Sequence, residues 1–167
     1  MKSALDIGLG ELSADIVVCI GNRPPLIEYE ALTAVQPVQA GEVAKIAVQT
    51  GNHWRKIFNI YAKLMFELKP GDYATWQDYR EQALLQEGSK TCLLFSDPKT
   101  LIDQNSCIVL IAGKTYAQEL GLFDQCVETQ YGIYKHGHAN VLVTPYFDYR
   151  QLSNLKLSFL VQQIKSI

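Results

Sequence analysis

Apolar and polar positions divide the chain into runs that predict alternating strands and helices. Four near-continuous apolar runs, typical of buried strands, cover residues 14–20, 91–95, 107–112 and 140–144. Between and after them, apolar residues recur every three or four positions, as on one helix face, over 43–68, 75–88, 114–120 and 148–164. Strands buried on both sides and separated by helices predict an α/β protein. We expect a three-layer α/β/α sandwich with a four- to five-stranded, mainly parallel sheet.

Small polar residues mark where helices begin. Thr75 stands three residues before an Asp, as an N-cap does in a capping box. Asp97 fits the N-cap of a further helix after the 91–95 run, and Pro98 fits its first position. Asp148 fits the N-cap of the closing helix.

Four loops follow the predicted strands, over 21–25, 96–98, 113–114 and 144–148. The carboxyl ends of parallel strands lie at one edge of a sheet, and ligands usually bind at that edge. The first loop is the most informative, because an apolar run ends there in Gly-Asn-Arg-Pro-Pro. We therefore expect a ligand site formed by these loops.

Chain length and net charge limit the number of domains and the kinds of binding partner. A chain of 167 residues is enough for one domain with a full core, so we expect a single domain over 1–167. The formal net charge is −2, whereas proteins that bind nucleic acid over a broad surface are usually basic. The charge therefore counts against a broad nucleic-acid surface, and it is compatible with a local basic groove.

The cysteines and the N-terminal residues predict a cytoplasmic protein. Cys19, Cys92 and Cys107 lie in or beside apolar runs, as buried thiols do, and no two of the four cysteines have CxxC spacing. The chain does not open on a charged segment followed by a long apolar one, and no apolar stretch approaches the length of a membrane span. We expect no disulfides and no membrane partner.

Four segments resemble motifs of the uracil-DNA glycosylase superfamily and occur in the same order. Residues 20–25 are similar to L-G-Q-D-P-Y or G-I-N-P-G, and residues 51–57 to N-R-F-W-K-V. Residues 108–118 are similar to V-F-L-L-W-G-x-Y-A-Q, and residues 141–146, followed by Leu152-Ser153, to V-L-Q-T-x-H-P-S-P-L-S. The four segments span most of the chain. The resemblance implies the three-layer fold of that superfamily and a pocket at the strand ends.

Three positions depart from the catalytic pattern of that superfamily. Arg23 stands at the place of the water-activating Asp or Asn, and Ser96 at the place of the Asn that reads the uracil edge. Tyr146 stands at the place of the His that stabilises the departing base. Arginine stays protonated and cannot act as a general base, whereas tyrosine still donates a hydrogen bond. The resemblance therefore implies a nucleobase-binding scaffold without ordinary uracil excision.

The loop residues supply a candidate site. If catalysis persists, Asn22 or Asp148 is expected to orient water and Tyr146 to support the leaving base. Tyr149 is suited to stack on a base and Arg150 to contact a phosphate. The other candidate ligand-binding residues are Gly21, Arg23, Pro24, Asn52, His53, Ser96 and Thr144.

Each assignment has a structural alternative. Arg23 binds an oxyanion through its forked guanidinium, or it is a surface residue or pairs with an Asp or Glu that pins the loop. Residues 52–56 form a basic and aromatic binding segment, or they begin a helix with Trp54 in the core. An Asp-Pro helix start accounts for the 96–98 loop, and a cap accounts for Asp148.

The sequence does not contain a complete motif for a metal site or for nucleotide hydrolysis. His136 and His138 form an H-x-H pair without a nearby Cys or carboxylate, which favours a glycine-centred turn between strands. Residues 113–115 read Gly-Lys-Thr but lack the earlier glycines of a phosphate-binding loop. We expect no metal site and no cofactor.

Three functions stay open at this point. The first is binding of a nucleobase, nucleotide or nucleic acid by a degenerate domain of the glycosylase type. The second is a glycosylase or other hydrolase with relocated catalytic residues. The third is a protein-interaction domain whose loop aromatics contact another protein. The sequence does not decide whether the chain is an enzyme, and it does not predict the oligomeric state.

Overall fold

A single sheet of eight strands forms the middle of the protein in the computed structural model, which describes residues 5–167. In chain order the strands are β1 (Gly8–Gly10), β2 (Ile16–Cys19), β3 (Val35–Gln36), β4 (Thr91–Leu94), β5 (Ile108–Ala112), β6 (Cys126–Gln130), β7 (Ile133–His136) and β8 (Val141–Thr144). Across the sheet their order is β3-β1-β4-β2-β5-β8-β7-β6.

The centre of the sheet consists of the four strands that the apolar runs predict. β2 pairs in parallel with β4 and β5, and β5 pairs in parallel with β8. Every residue of these strands is buried except Ile108, which is partly exposed. Burial on both faces explains why their sequences are continuously apolar.

The sheet is larger than predicted and mixed. β1 is antiparallel to β4 and pairs in parallel with β3, while β7 is antiparallel to both β8 and β6. β1 and β3 contain three and two residues, which is too short to show an apolar pattern. The prediction of the α/β class is confirmed, and the prediction of four to five mainly parallel strands is wrong.

Seven α-helices connect these strands within the described part of the chain. They are α1 (Ile27–Glu30), α2 (Glu42–Thr50), α3 (Asn52–Leu68), α4 (Trp76–Gln82), α5 (Lys99–Gln104), α6 (Lys114–Glu119) and α7 (Asn154–Lys165). A short 3-10 helix at Phe123–Gln125 precedes β6.

The helices cover both faces of the sheet and so form three layers. Val18 and Leu110 belong to a core that includes the apolar faces of α3 and α7. Their neighbours Val17 and Val109 belong to a second core with apolar residues of α5 and α6. This alternation along one strand is the expected result of side chains that point to opposite faces. The predicted layering is confirmed.

Two predicted helix boundaries are wrong. The helix expected over 43–68 is divided at Gly51, whose φ of 93° lies in a region that glycine adopts readily. Asp148 does not cap the closing helix, because α7 begins after Ser153. Asp148 instead closes a turn, in which its Oδ1 accepts from Arg150 N at 2.9 Å and its carbonyl accepts from Leu152 N at 2.7 Å.

Of the other two predicted caps, one is confirmed. Thr75 is the N-cap of α4, and its Oγ1 accepts a hydrogen bond from Asp78 N at 3.1 Å. The prediction for Asp97 is wrong by one residue, because Pro98 is the N-cap of α5 and the helix begins at Lys99. Asp97 Oδ1 still accepts from Lys99 N at 2.9 Å, in the turn that leads into the helix.

A buried tyrosine joins the amino ends of two central strands. The Tyr61 hydroxyl lies 2.9 Å from Ile16 O and 3.0 Å from Cys92 O, and it accepts from Cys92 N at 3.1 Å. The side chain is fully buried. Its hydroxyl therefore satisfies backbone groups of β2 and β4 that water does not reach.

The predicted burial of Cys19, Cys92 and Cys107 is confirmed, and all four cysteines are free thiols. Within residues 5–167, no helix is long and apolar enough to cross a membrane.

Candidate functional site

The strand order creates a crevice at the carboxyl edge of the sheet. β2 comes first in the chain among the four central strands, and β4 and β5 lie on opposite sides of it. The chain therefore leaves β2 and β5 in different directions. The two connections leave a gap beyond the carboxyl ends of these two strands. Such a switch point is where open α/β sheets usually bind ligands.

A cleft of about 560 Å³ occupies this position. We call it the carboxyl-edge cleft. Its volume lies within the range of about 300–1,000 Å³ that is common for small-molecule sites. Its lining residues come from the loops after β2, β5 and β8 and from β7, and they are Gly21, Asn22, Ala112, Gly113, Lys114, Thr115, Tyr116, Glu119, Gly132, Tyr134, Thr144, Pro145, Tyr146 and Gln151.

Two glycines at the cleft are required for different reasons. A Cβ on Gly21 would lie 2.8 Å from the ring of Tyr116, so only glycine fits below that ring. A Cβ on Gly113 would lie 3.6 Å from the ring of Tyr146, which is an ordinary contact, but Gly113 has a φ of 100° that favours glycine. Gly21 therefore makes room for a tyrosine ring in the wall of the cleft, and Gly113 allows the backbone to turn after β5.

Three residues that are distant in the sequence form a hydrogen-bonded chain at the mouth of the cleft. His53 Nε2 lies 2.7 Å from the Tyr146 hydroxyl, which donates to Asn22 Oδ1 at 3.1 Å. With the hydroxyl proton directed to Asn22, the contact with His53 is a hydrogen bond in the tautomer that carries its proton on Nε2. His53 comes from the first turn of α3, and the other two follow β8 and β2.

One hydrogen-bond donor of these three residues is unused. Burial raises the pKa of Tyr146, so the phenol stays neutral and keeps its proton at physiological pH. Among the described residues, the Asn22 side-chain nitrogen has no hydrogen-bond partner, and Asn22 lines the cleft. The Asn22 amide can therefore donate to a carbonyl or another acceptor of a ligand.

Four predicted site residues have structural contacts of their own. Thr144 is buried and donates to Pro145 O at 2.8 Å. Ser96 Oγ accepts from Ile7 N at 2.9 Å, and Ser96 does not line the carboxyl-edge cleft. Pro24 is buried, and its carbonyl accepts from Leu26 N at 2.7 Å. Asn52 Oδ1 accepts from the Arg55 guanidinium at 2.9 Å.

Arg23 holds the loop that it belongs to. Its Nη1 lies 3.1 Å from Tyr29 O, 2.9 Å from Glu30 O and 3.4 Å from Leu32 O, around the end of α1. Its guanidinium carbon lies 5.9 Å from the centre of the Phe95 ring. A cation at the carboxyl end of a helix stabilises the unpaired carbonyls there. This arrangement supports the structural alternative for Arg23.

A second, basic depression lies on α3. It has a volume of about 230 Å³ and is lined by Asn52, Arg55, Lys56, Asn59, Ile60, Lys63 and Tyr149. We call it the α3 basic groove. Lys56 Nζ lies 4.8 Å from the centre of the Tyr149 ring, and Tyr149 is 56% exposed. Trp54 is buried in the first turn of α3, as the helix-start alternative for residues 52–56 predicts. Arg55 is exposed, whereas the Lys56 side chain is only 17% exposed and pairs with Asp148.

Asp148 and Arg150 lie beside this groove. Lys56 Nζ donates to Asp148 Oδ2 at 3.4 Å, and Arg150 Nε lies 3.7 Å from Oδ1. The hydrogen bond from Arg150 N, followed by the nearby Lys56 ammonium, lowers the pKa of Asp148. A carboxylate with a lowered pKa is a weaker base, so the geometry favours a positioning role for Asp148.

Several residues of the cleft were not singled out from the sequence, among them three with side chains that can contact a ligand. Tyr116 follows the Gly-Lys-Thr turn by one residue, and the strand-glycine-helix pattern is the signal that points to it. Tyr134 comes from β7 and Gln151 from the turn after Asp148, and nothing in their local sequence shows that they lie near β2. His136 and His138 lie around the turn between β7 and β8, and no group suited to a metal ion occurs among residues 5–167.

Comparison with known proteins identifies a family. A family of unknown function (DUF6942) matches residues 7–165. No curated protein and no solved structure matches the chain. The similarity to the uracil-DNA glycosylase superfamily therefore stays a prediction from the sequence.

Proposed function

Since the chain belongs to this family of unknown function, we propose its role from the site itself: it binds a nucleobase, nucleotide or nucleic acid at the carboxyl edge of the sheet, without ordinary uracil excision. The ligand's base enters the carboxyl-edge cleft, and its phosphates lie along the α3 basic groove. We also propose a cytoplasmic location, because the four cysteines are free thiols and reducing compartments keep thiols in that form.

The observation that carries the proposal is a hydrogen bond between the two segments that line the depressions. The hydrogen bond between His53 and Tyr146 joins the first turn of α3 to the loop after β8. Tyr146 lines the cleft, and Tyr149, three residues later, lines the groove. A ligand that fills both therefore has an aromatic, hydrogen-bonding end and a cationic end.

The cleft offers what a base requires. The rings of Tyr116, Tyr134 and Tyr146 give its wall an aromatic character, and aromatic faces stack on bases without regard to their sequence. The Asn22 amide supplies a donor for the edge of a base.

The groove offers what phosphates require. Arg55, Lys56 and Lys63 line it, and Arg150 lies next to it through Asp148. Exposed Arg and Lys side chains supply most of the affinity for a nucleic-acid backbone, and this contribution weakens as salt rises. The basic residues are local, which is compatible with a net charge of −2.

Binding without ordinary excision agrees with the roles of the charged residues. Arg23 is engaged with backbone carbonyls, and Asp148 is an ionised partner of Lys56. Neither is placed as a free general base, which base excision by water requires.

The test uses a fluorescent single-stranded DNA that contains one uracil, at low salt. Binding is measured by anisotropy, and cleavage at an abasic site is measured in the same samples. We expect binding without cleavage. In the double variant Lys56→Gln/Arg150→Gln, affinity falls, and the slope of log K against log salt decreases by up to about 1.4, because two phosphate contacts are lost.

The matched control is Lys99→Gln/Lys135→Gln, which removes the same charge from two exposed lysines outside both depressions. Its affinity should equal that of the wild type. No binding at low salt, or an equal loss in both double variants, would exclude the proposed groove and favour a protein-interaction domain.

A second candidate is a hydrolase with relocated catalytic residues, and the Asn22–Tyr146 hydrogen bond favours it. In this version Asn22 orients water and Tyr146 supports the leaving base. Cleavage by the wild type that disappears in Asn22→Ala, with unchanged unfolding, would establish it. Wild-type cleavage in both Asn22→Ala and Asp148→Ala would exclude these residues.

A further inference from the structure

A third cleft lies at the opposite, amino edge of the sheet. It has a volume of about 370 Å³ and is lined by Asp15, Ile16, Met65, Leu68, Lys69, Tyr79, Ser89, Lys90, Ile108, Ile164 and Lys165. We call it the amino-edge cleft. None of its residues belongs to the carboxyl-edge cleft or the α3 basic groove, so its function is separate from the proposed one.

The floor of the amino-edge cleft is apolar. Ile16 and Ile108 begin β2 and β5, and the ends of α3 and α7 add Met65 and Ile164. All of these side chains except the partly exposed Ile108 are buried. The two helices end at this edge, and an apolar floor of this kind suits the hydrocarbon part of a ligand.

The rim of the cleft is cationic. It carries Lys69, Lys90 and Lys165, and Asp15 is the one carboxylate that lines it. Asp15 pairs with Lys69 at 3.7 Å. Among the described residues, neither Lys90 nor Lys165 forms an ion pair, so the rim keeps an excess of positive charge.

Lys90 is the most informative residue of the rim. Lys69 and Lys165 stand at the ends of α3 and α7, where cations stabilise helix carbonyls even without a ligand. Lys90 stands in a turn before β4, with a φ of 59° that is uncommon for a residue other than glycine. Its N–H donates to Glu11 Oε2 at 3.1 Å, and its carbonyl accepts from Asp15 N at 3.1 Å, so the backbone that presents its ammonium is fixed.

We propose that the amino-edge cleft binds a small amphipathic carboxylate, with the hydrocarbon part on the apolar floor and the carboxylate between Lys90 and Lys165. A volume near the lower end of the usual range indicates a ligand of modest size. A neutral amphiphile leaves the lysines without a partner, and a cationic one is repelled by them. The charge of the rim therefore selects an anionic head group.

The cleft contains its own spectroscopic reporter. The sequence has two methionines, Met1 and Met65, and Met65 is buried in the wall of the cleft. The methyl signal of labelled Met65 therefore responds to occupation of this site.

The test is a titration of the full-length, methionine-labelled protein with decanoate below its micelle concentration, followed by NMR. Decanol and decyltrimethylammonium serve as neutral and cationic probes with the same chain. We expect a saturable shift of the Met65 methyl signal with decanoate and weaker binding of the other two probes. Raising the salt concentration should weaken the binding of decanoate, because salt screens exposed charges. The binding of decanol should not change.

The variant Lys90→Gln/Lys165→Gln should bind decanoate roughly fivefold more weakly than the wild type, a loss in the range of two exposed ion pairs. Decanol binding should not change. Lys99→Gln/Lys135→Gln is again the matched control and should bind decanoate like the wild type, since both lysines lie outside this cleft.

Three results would overturn the proposal. They are the absence of a saturable Met65 shift, equal binding of decanoate and decanol with no effect of the lysine variant, and tighter binding of the cationic probe. The last result would mean that the negative ends of α3 and α7 outweigh the lysines.

Discussion

Two tyrosine hydroxyls at opposite ends of the sheet show how a structural contact differs from a candidate site. At the amino end, the Tyr61 hydroxyl is fully buried and bonds only to backbone groups of β2 and β4. At the carboxyl end, the Tyr146 hydroxyl bonds only to the side chains of His53 and Asn22 and lies beside an open cleft. Backbone groups are fixed by the fold, whereas side chains that bond to each other can exchange that partner for a ligand. The difference predicts that Tyr61 matters for stability and Tyr146 for binding.

The largest effect is expected for Tyr61→Phe. The substitution keeps the ring and its edge contact with Phe147, at 6.3 Å between centres, and removes only the hydroxyl. Cys92 N then loses the hydroxyl as an acceptor, and the carbonyls of Ile16 and Cys92 lose the hydroxyl proton that lies within reach of both. An unsatisfied buried group costs about 1–3 kcal/mol, so we expect a loss of about 2–3 kcal/mol in the free energy of unfolding.

Urea denaturation measures this loss as a lower midpoint with an unchanged slope. A loss below about 1 kcal/mol would mean that the backbone groups find other partners, and the structural reading of Tyr61 would fail.

An intermediate effect on stability is expected for Tyr146→Phe. The hydroxyl is half-buried, and both of its partners are near solvent. Its loss should lower the free energy of unfolding by no more than about 1 kcal/mol, because water replaces it. Binding of the single-stranded DNA should weaken by roughly fivefold, since about 1 kcal/mol of positioning of Asn22 and His53 is lost.

Unfolding and anisotropy are measured on the same preparation of this variant, with Tyr131→Phe as the control. Tyr131 is an exposed tyrosine outside the carboxyl-edge cleft and the α3 basic groove. A large loss of stability with unchanged DNA binding would reverse the comparison between Tyr61 and Tyr146.

The central strands were predictable because their environment is uniform. Val17 and Val18 point to opposite faces, and both are fully buried, so both positions are apolar. The outer strands have no such constraint. Leu9 is the only apolar side chain in β1 between two glycines, and β6 faces solvent at Val127 and Glu128. The size of the sheet could therefore not be read from apolar runs.

The members of the site were predictable one by one, and their contacts were not. Asn22, His53 and Tyr146 each follow from a motif at a strand or helix end. The hydrogen bonds that join them span 93 and 124 positions, and such distances are set by the order of strands in the sheet. Asp148 shows the opposite error, because its local pattern fits a helix cap, while the chain makes a turn there before α7 begins.

A third tyrosine, Tyr79, extends the comparison. Its substitution is expected to have the smallest effect on the free energy of unfolding, and an effect of opposite sign. Among the described residues the Tyr79 hydroxyl is buried and has no hydrogen-bond partner. The neighbouring Thr91 hydroxyl already accepts from Leu85 N at 2.9 Å and shares a hydrogen bond with Ser89 Oγ at 2.7 Å.

Tyr79→Phe removes a polar atom that burial has separated from water, and it keeps the ring that packs edge-on against Tyr73 at 5.6 Å. The free energy of unfolding should therefore stay equal or rise by up to about 1 kcal/mol. Urea denaturation beside Tyr61→Phe tests the contrast directly, because each substitution deletes one buried hydroxyl, with partners at Tyr61 and without them at Tyr79. A loss of more than about 1 kcal/mol in the free energy of unfolding would show that Thr91 binds the Tyr79 hydroxyl in solution. The two tyrosines would then no longer differ in whether their hydroxyls have hydrogen-bond partners.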